Sequence, residues 1–282
     1  MIKCVHVLFL HIRRGYAFSL AVFLACACYL YVPPMQACAV QRELPPHLIQ
    51  TVGEQEIYEG LLALDMLECP VEEKADCEKA YENVKNCVVR IQMGNAHGSG
   101  IIWELTPERV IVATNRHVLE YWEETDSYVY FPQGYYTDAQ ILGVSEKVDV
   151  GFLAIDNVEF TYGELKKLRS AHIEEDIYDG LSRGDMMFMA DAGSETQEAR
   201  FYEAVLEERQ KYIADFGTDM LYGKGFAKAG MSGGGTFDGY GNLIGMTTGG
   251  TIQNEVAAVP LPDLVRAYEE IVGEEGWNRE GN

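Results

Sequence analysis

A serine set among glycines is the part of this sequence best suited to covalent chemistry. Residues 230–235 read GMSGGG, with Ser232 in third place. A serine hydroxyl becomes an effective nucleophile only when a base takes its proton and nearby donors hold the oxyanion that forms on attack. Gly230 can adopt backbone angles closed to other residues, so that its N–H and that of Ser232 could meet at one oxygen atom. The segment predicts a nucleophile with its own oxyanion hole; the alternative is a tight turn with a solvated serine.

The base that this serine would need is best supplied by His117, one of six histidines in the chain. His117 follows the apolar, β-branched run at 109–114, which predicts a buried strand and a rigid support for the ring. His97 lies in a polar, glycine-rich stretch and is interpreted as a loop residue. The remaining histidines have sequence neighbourhoods typical of solvated side chains: His6, His11, His47 and His172.

Asp149 is the predicted carboxylate that would orient the His117 ring and stabilise its protonated form. It stands in the run VDVGFLAI at 148–155. A charge in such an apolar strand is costly to bury unless something pairs with it. Asp156 and Asp191 stand at strand or loop edges and are interpreted as solvated.

The order His117, Asp149, Ser232 resembles that of the trypsin-like serine peptidases of the chymotrypsin fold. The closer resemblance is to the protease domain of the bacterial HtrA/Deg branch. It rests on four segments: GSGII at 98–102, TNRHV at 114–118, DVGFL at 149–153 and GYGNLIGMTT at 239–248. Met231 stands where digestive-type trypsins carry an aspartate that pairs with a newly cut N-terminal amine, so that activation switch is not expected. Few residues follow Ala267, and a PDZ domain is not expected either.

The resemblance implies an all-β fold of two antiparallel six-stranded β-barrels. It also implies a catalytic triad of His117, Asp149 and Ser232, with the N–H groups of Gly230 and Ser232 as the oxyanion hole. The pocket that receives the substrate side chain before the cut would have Phe226 near its base. The strand that lines it would be Thr247, Thr248 and Gly249.

The predicted pocket has no carboxylate at its base. A substrate Lys or Arg would be desolvated there without a partner, which favours small or medium apolar side chains. Two alternatives remain open. Phe226 could pack in the core instead, and Asp215 or Asp219 could supply an acidic group.

Short apolar runs separated by turn residues support the all-β assignment for residues 87–282, because such runs predict antiparallel strands. The runs begin at Ile101, Val110, Tyr128, Ile141 and Leu153. A length near 200 residues suits one such domain. The spacing of apolar residues from Leu261 to Val272 predicts a C-terminal helix.

The first 39 residues predict export rather than part of the fold. Lys3, Arg13 and Arg14 precede an uncharged run at 16–32, and small residues at 37–39 suit cleavage before Val40. An uncut membrane anchor is the alternative, since the run approaches the lower length limit for a membrane span. Either reading places the domain outside the cytoplasm, secreted or tethered to a membrane.

Residues 40–86 form a predicted helical extension, with helices at Glu54–Glu68 and Glu72–Val84. Three cysteines accompany it, Cys69, Cys77 and Cys87. Outside the cytoplasm one pair could be bridged, and the sequence does not say which. A metal site built on these cysteines is not expected, because no second cluster of ligand residues lies nearby in the sequence. No cofactor is predicted.

The formal net charge of −22 excludes nucleic acid as a natural partner, because phosphate would be repelled over most of the surface. The predicted function is an extracytoplasmic serine endopeptidase acting on polypeptides. The alternative is a non-catalytic barrel that binds peptides or a cell-envelope partner. An α/β-hydrolase is disfavoured, because its nucleophile precedes its histidine and no histidine follows Ser232.

Overall fold

The computed structural model describes residues 74–280. The predicted export segment at 1–39, the helix predicted at Glu54–Glu68 and the thiol of Cys69 lie outside this range. Among the described helices, none is both long and apolar enough to cross a membrane.

The first half of the described chain forms one antiparallel sheet. Its strands are β1 (Val88–Met93), β2 (Ala96–Leu105), β3 (Arg109–Thr114), β4 (Ser127–Tyr130), β5 (Tyr136–Thr137), β6 (Gln140–Val144) and β7 (Gly151–Asp156). They lie in the order β5-β4-β1-β2-β3-β7-β6. Ile91, Ile101, Val112 and Leu153 are fully buried and form the centre of its core. All five apolar runs of the sequence are strands here.

The second half closes into a six-stranded barrel. Its strands are β8 (Met186–Asp191), β9 (Arg200–Ile213), β10 (Thr218–Gly225), β11 (Gly235–Asp238), β12 (Leu243–Thr251) and β13 (Glu255–Pro260). They close in the order β10-β13-β12-β11-β8-β9. The rings of Phe188 and Phe237 stack inside it with centroids 5.4 Å apart.

The predicted all-β, trypsin-like architecture is confirmed, with one difference in detail. Six strands were expected in each half, whereas the N-terminal sheet has seven and is a half-barrel. The seventh strand is the two-residue β5, which pairs only with β4. Within the described residues its far edge is not paired with β6, so the sheet stays open.

Two longer helices flank the sheets. Helix α1 (Cys77–Val84) begins at Cys77 rather than Glu72, because the Asp76 side chain caps it by accepting the Lys79 N–H at 3.1 Å. It lies against β8, with Ala80 and Val84 buried. The Cys77 and Cys87 thiols are free and buried, so these two cysteines do not form the bridge that the sequence left open.

The C-terminal helix, α5 (Leu261–Glu280), starts where the sequence predicts and continues past Val272. Its Tyr268 ring packs on Trp103 and Phe152 of the N-terminal sheet, at centroid distances of 5.7 and 5.0 Å. The helix follows β13 of the barrel and therefore ties the two halves together. The remaining helices are single turns: α2 (Arg116–Leu119), α3 (Tyr162–Leu165) and α4 (Glu175–Gly180), with 3-10 turns at Lys85–Cys87 and Asn157–Glu159.

Candidate active site

His117 and Asp149 are held together by two neighbouring strands of the N-terminal sheet. His117 lies in α2 just after β3, and Asp149 lies just before β7, the strand paired with β3. The ring Nδ1 of His117 lies 2.6 Å from Asp149 Oδ2, and the His117 backbone N–H donates to Oδ1 at 2.9 Å. Two bonds to one carboxylate fix the ring and place the Nδ1 proton toward Asp149. Nε2 is then left to accept a proton.

The charge of Asp149 is set by these contacts. Burial alone would raise the pKa of its carboxyl group. Hydrogen bonds from the ring and backbone of His117, with the charges of His117 and Arg116, outweigh burial and hold that pKa below its ordinary value. The carboxylate therefore stays ionised at neutral pH, as a group that stabilises an imidazolium must.

Ser232 lies on the loop between β10 and β11 of the C-terminal barrel. Its backbone carbonyl accepts the Ser99 N–H of β2 at 2.8 Å, which fixes the loop against the N-terminal sheet. Its hydroxyl donates to the Thr248 carbonyl oxygen at 3.3 Å. Among the described residues no hydrogen bond joins Ser232 to His117.

Asn115 connects the two halves of the site. Its side-chain amide donates to the Asp149 carbonyl at 2.8 Å and to the Thr248 hydroxyl at 3.1 Å. Asn115 is fully buried, and its bond to Thr248 is shielded from water. Asn115 thus joins the backbone of Asp149 to Thr248. The carbonyl oxygen of Thr248 in turn accepts the hydrogen bond from the Ser232 hydroxyl.

The backbone beside Ser232 offers two unused donors. Gly230 has φ +93° and Gly233 has φ +86°, conformations that glycine adopts readily. Within residues 230–234, the N–H groups of Met231, Gly233 and Gly234 donate to backbone carbonyls. Within the described part of the chain, the N–H groups of Gly230 and Ser232 have no protein acceptor. They are the pair that an oxyanion hole requires.

Comparison with known proteins identifies the family of this domain. A family model described as a trypsin-like peptidase domain matches residues 98–246, which is more than half of the chain. The chain belongs to the trypsin-like peptidase family. A search of curated proteins finds no significant match.

Solved structures with the same fold as this trypsin-like chain include the HtrA-type protease AlgW. The complex of AlgW with a tripeptide has 20% sequence identity and a TM-score of 0.61, and the match covers 71% of this chain and 64% of AlgW. The complex of AlgW with a decapeptide has 16% sequence identity and a TM-score of 0.57, and the match covers 70% of this chain and 68% of that chain. The chain thus spans a little under two thirds of AlgW in the first comparison, and at these identities the likeness concerns the fold. The resemblance to the HtrA branch is confirmed at that level.

The trypsin-like domain has a cavity of about 180 Å³ beside Ser232. Besides Ser232, its walls are Ala227, Lys228, Ala229, Met231, Thr247, Gly249 and Gly250. Two of the predicted pocket residues, Thr247 and Gly249, are among them. Phe226 is not: its side chain is 47% exposed and packs on the Tyr202 ring at 5.2 Å. Thr248 contributes hydrogen bonds to the site and does not line this cavity.

A second cavity, of about 320 Å³, has His117 and Asp149 among its lining residues. Asp215 and Phe216, from the turn between β9 and β10, form part of its wall. Asp215 therefore lines the cavity that His117 also lines, and Asp219 lines neither cavity. Neither aspartate supplies the acidic group that the sequence left open for the pocket beside Ser232.

Two residues interpreted as peripheral from the sequence contact the loop that carries Ser232. His97 is part of β2 rather than a loop, and its Nε2 would be 2.5 Å from a Cβ placed on Gly230. Asp191 is 1% exposed instead of solvated, and it faces the Lys228 ammonium at 2.9 Å. Neither contact is visible in the sequence, because each joins segments more than 30 residues apart. In the described residues no group of acidic, cysteine and histidine side chains has the arrangement of a metal site.

Proposed function

We propose that this protein is a serine endopeptidase that hydrolyses peptide bonds through an acyl-enzyme on Ser232. The proposal is carried by one observation. A histidine–carboxylate pair, a glycine-flanked serine and two backbone N–H groups without a protein acceptor occur together in one trypsin-like domain. Each of these groups has a defined task in acyl transfer.

Catalysis begins with a rotation of the Ser232 side chain. Its bond to the Thr248 carbonyl, at 3.3 Å, lies beyond the usual 2.5–3.0 Å range for a hydroxyl donor and is easily given up. Rotation about the Cα–Cβ bond then turns Oγ toward His117 Nε2. Catalytic hydrogen bonds are often long or absent before substrate is bound and form in the complex.

The chemical steps follow from the positions of these groups. His117 Nε2 takes the Ser232 proton as Oγ bonds to the scissile carbonyl carbon, and the carbonyl oxygen gains a negative charge. The N–H groups of Gly230 and Ser232 donate to that oxygen, while Asp149 stabilises the imidazolium. The carbon–nitrogen bond then breaks and His117 protonates the departing amine. Water, deprotonated by the same ring, hydrolyses the acyl-enzyme and restores Ser232.

The experiment that tests this function is labelling with a fluorophosphonate, which phosphonylates an activated serine with loss of fluoride and requires no known substrate. Purified protein is expected to take up one probe molecule, and mass spectrometry of its peptides is expected to place the adduct on Ser232. Heat-unfolded protein serves as the control, because the reaction depends on the folded site. A folded protein that stays unlabelled would support the alternative, a trypsin-like barrel that binds peptides or a cell-envelope partner without cutting them.

The cavity beside Ser232 supports a preference for small or medium apolar side chains before the cut. Its walls carry no carboxylate, so a buried Lys or Arg would lack a partner at a cost of several kcal/mol. Its volume of about 180 Å³ also limits the size of the side chain that it can hold. Residues such as Val, Ala and Leu fit both conditions.

A peptide-library cleavage profile would measure this preference. Val, Ala and Leu are expected to dominate at the position before the cut. Phe226→Ala is the matched variant: because Phe226 lies outside the cavity, the profile should stay unchanged. Dominant cleavage after Arg or Lys would contradict the proposed pocket, and a changed profile in Phe226→Ala would return that residue to it.

We also propose that the domain acts outside the cytoplasm, secreted or membrane-tethered. The support is the basic, uncharged and small-residue pattern of positions 1–39. A polypeptide substrate follows from the proposed chemistry.

A further inference from the structure

The oxyanion loop contains a turn whose type decides where the Gly230 N–H points. The Met231 N–H donates to the Lys228 carbonyl at 3.3 Å, which makes Lys228–Met231 a four-residue turn with Ala229 and Gly230 at its centre. Gly230 has φ +93°, and Ala229 does not have positive φ. These angles define a type II turn. In a type I turn the peptide between the two central residues is rotated by about half a turn, so the Gly230 N–H would face the opposite way.

Lys228 attaches the first residue of this turn to the end of β8. Its ammonium lies 2.9 Å from Asp191 Oδ2 and donates to the Gln197 side-chain carbonyl at 2.7 Å. The contact with Asp191 raises the pKa of Lys228, so the group stays charged. Asp191 is itself held, since its Oδ1 accepts the Gly193 N–H at 2.9 Å. A nearly fully buried carboxylate thus serves as the anchor point.

Ser99 holds the other side of the same turn. Its hydroxyl donates to the Gly230 carbonyl at 2.8 Å and accepts the Ala192 N–H at 3.2 Å. Ser99 is fully buried. Both attachments therefore lead to the end of β8 at Asp191 and Ala192, and the turn is clamped between that strand end and β2. Met231, which is apolar and fully buried, offers no ionic contact for this purpose.

We propose that Lys228 is a positioning residue for catalysis: its ion pair with Asp191 keeps the turn in its type II form and so keeps the Gly230 N–H in the oxyanion hole. The inference rests on the proposed function and adds to it the group that fixes the active backbone conformation. Ser99 completes the attachment from β2. Without the ion pair, molecules with the turn reversed would bind substrate but could not stabilise the oxyanion.

The test is the kinetics of fluorophosphonate inactivation in Lys228→Met, which keeps most of the side-chain length and removes the charge. Attack on phosphorus places negative charge on the phosphoryl oxygen and so requires the same hole. We expect the limiting rate of inactivation to fall by about 10- to 100-fold, because only the fraction of molecules with a competent turn reacts. The half-saturating probe concentration should change by less than about threefold, since ground-state binding does not use the oxyanion contact.

Two further variants keep the test decisive. Lys228→Met leaves the buried Asp191 carboxylate unpaired, which can prevent folding. The double variant Lys228→Met/Asp191→Asn removes both charges and should fold, with the same slow inactivation. Lys228→Arg restores a cation and should recover the rate to within about threefold of the original protein, a rescue that depends on charge.

The matched control is Lys224→Met, which breaks a different lysine–carboxylate pair, with Glu255 at 3.0 Å on β13. Its inactivation rate should equal that of the unmodified protein. A folded Lys228→Met or double variant that reacts at the unmodified rate overturns the role of Lys228 while leaving the proposed peptidase intact. An unmodified protein that does not react at all overturns the peptidase proposal itself.

Discussion

Replacing Ser232 by Ala is expected to abolish fluorophosphonate labelling and to lower kcat/KM for peptide hydrolysis by about 10⁴-fold or more. The variant loses the atom that forms the acyl-enzyme. His117→Ala should cause a loss of similar size, because Ser232 would keep its proton. Since the two residues act in one step, the double variant should be no slower than the worse single variant. Cleavage of the best peptide from the library profile measures all three.

A second histidine provides the control for this series. The His172 ring contacts the Asn242 side chain at 2.9 Å and is not among the residues that line either cavity. His172→Gln retains a polar side chain and should change kcat/KM by no more than about threefold. Peptide hydrolysis at the original rate by Ser232→Ala would show that another residue is the nucleophile. If the kcat/KM losses of Ser232→Ala and His117→Ala multiplied in the double variant, the two residues would act independently, and His117 would not act on Ser232.

The sequence predicts His117 and Asp149 well because their positions depend on neighbouring strands. An apolar, β-branched run predicts β3, and a carboxylate inside another such run implies a partner. Once the two strands pair, the residues at their ends must meet, and the structure places them 2.6 Å apart. The C-terminal helix was predictable for the same reason, since its apolar spacing is local.

The contacts that hold the loop carrying Ser232 could not be predicted from strand patterns. Asp191 stands at the end of a strand and appears solvated in the sequence, yet the fold brings Lys228 to it and removes it from water. His97 sits among polar residues and glycines, yet β2 carries its ring to Gly230. The resemblance implies a backbone position for Phe226 near the pocket, but it does not fix the direction of the side chain. Such features depend on how loops pack, which has no local pattern.

Gly230→Ala is expected to lower kcat by about 10²- to 10³-fold, the effect of losing one oxyanion-hole donor. Two physical reasons coincide at this residue. A φ of +93° is unfavourable for alanine, and the new Cβ would lie 2.5 Å from His97 Nε2. The turn would relax toward a form with negative φ, and the Gly230 N–H would leave the hole. KM should change little, because the donor acts mainly in the transition state.

The control for Gly230→Ala is Gly134→Ala, at a turn with φ +90° and open space around the added Cβ. It imposes similar backbone strain away from Ser232, so it should lower stability modestly and leave kcat unchanged. Steady-state kinetics with one peptide substrate, and urea unfolding of both variants, separate the two effects. A second variant, Gly230→Ala with His97→Ala, removes the steric contact and keeps the unfavourable φ. Partial recovery of kcat in that variant would assign part of the loss to His97, and unchanged kcat in Gly230→Ala would remove Gly230 from the oxyanion hole.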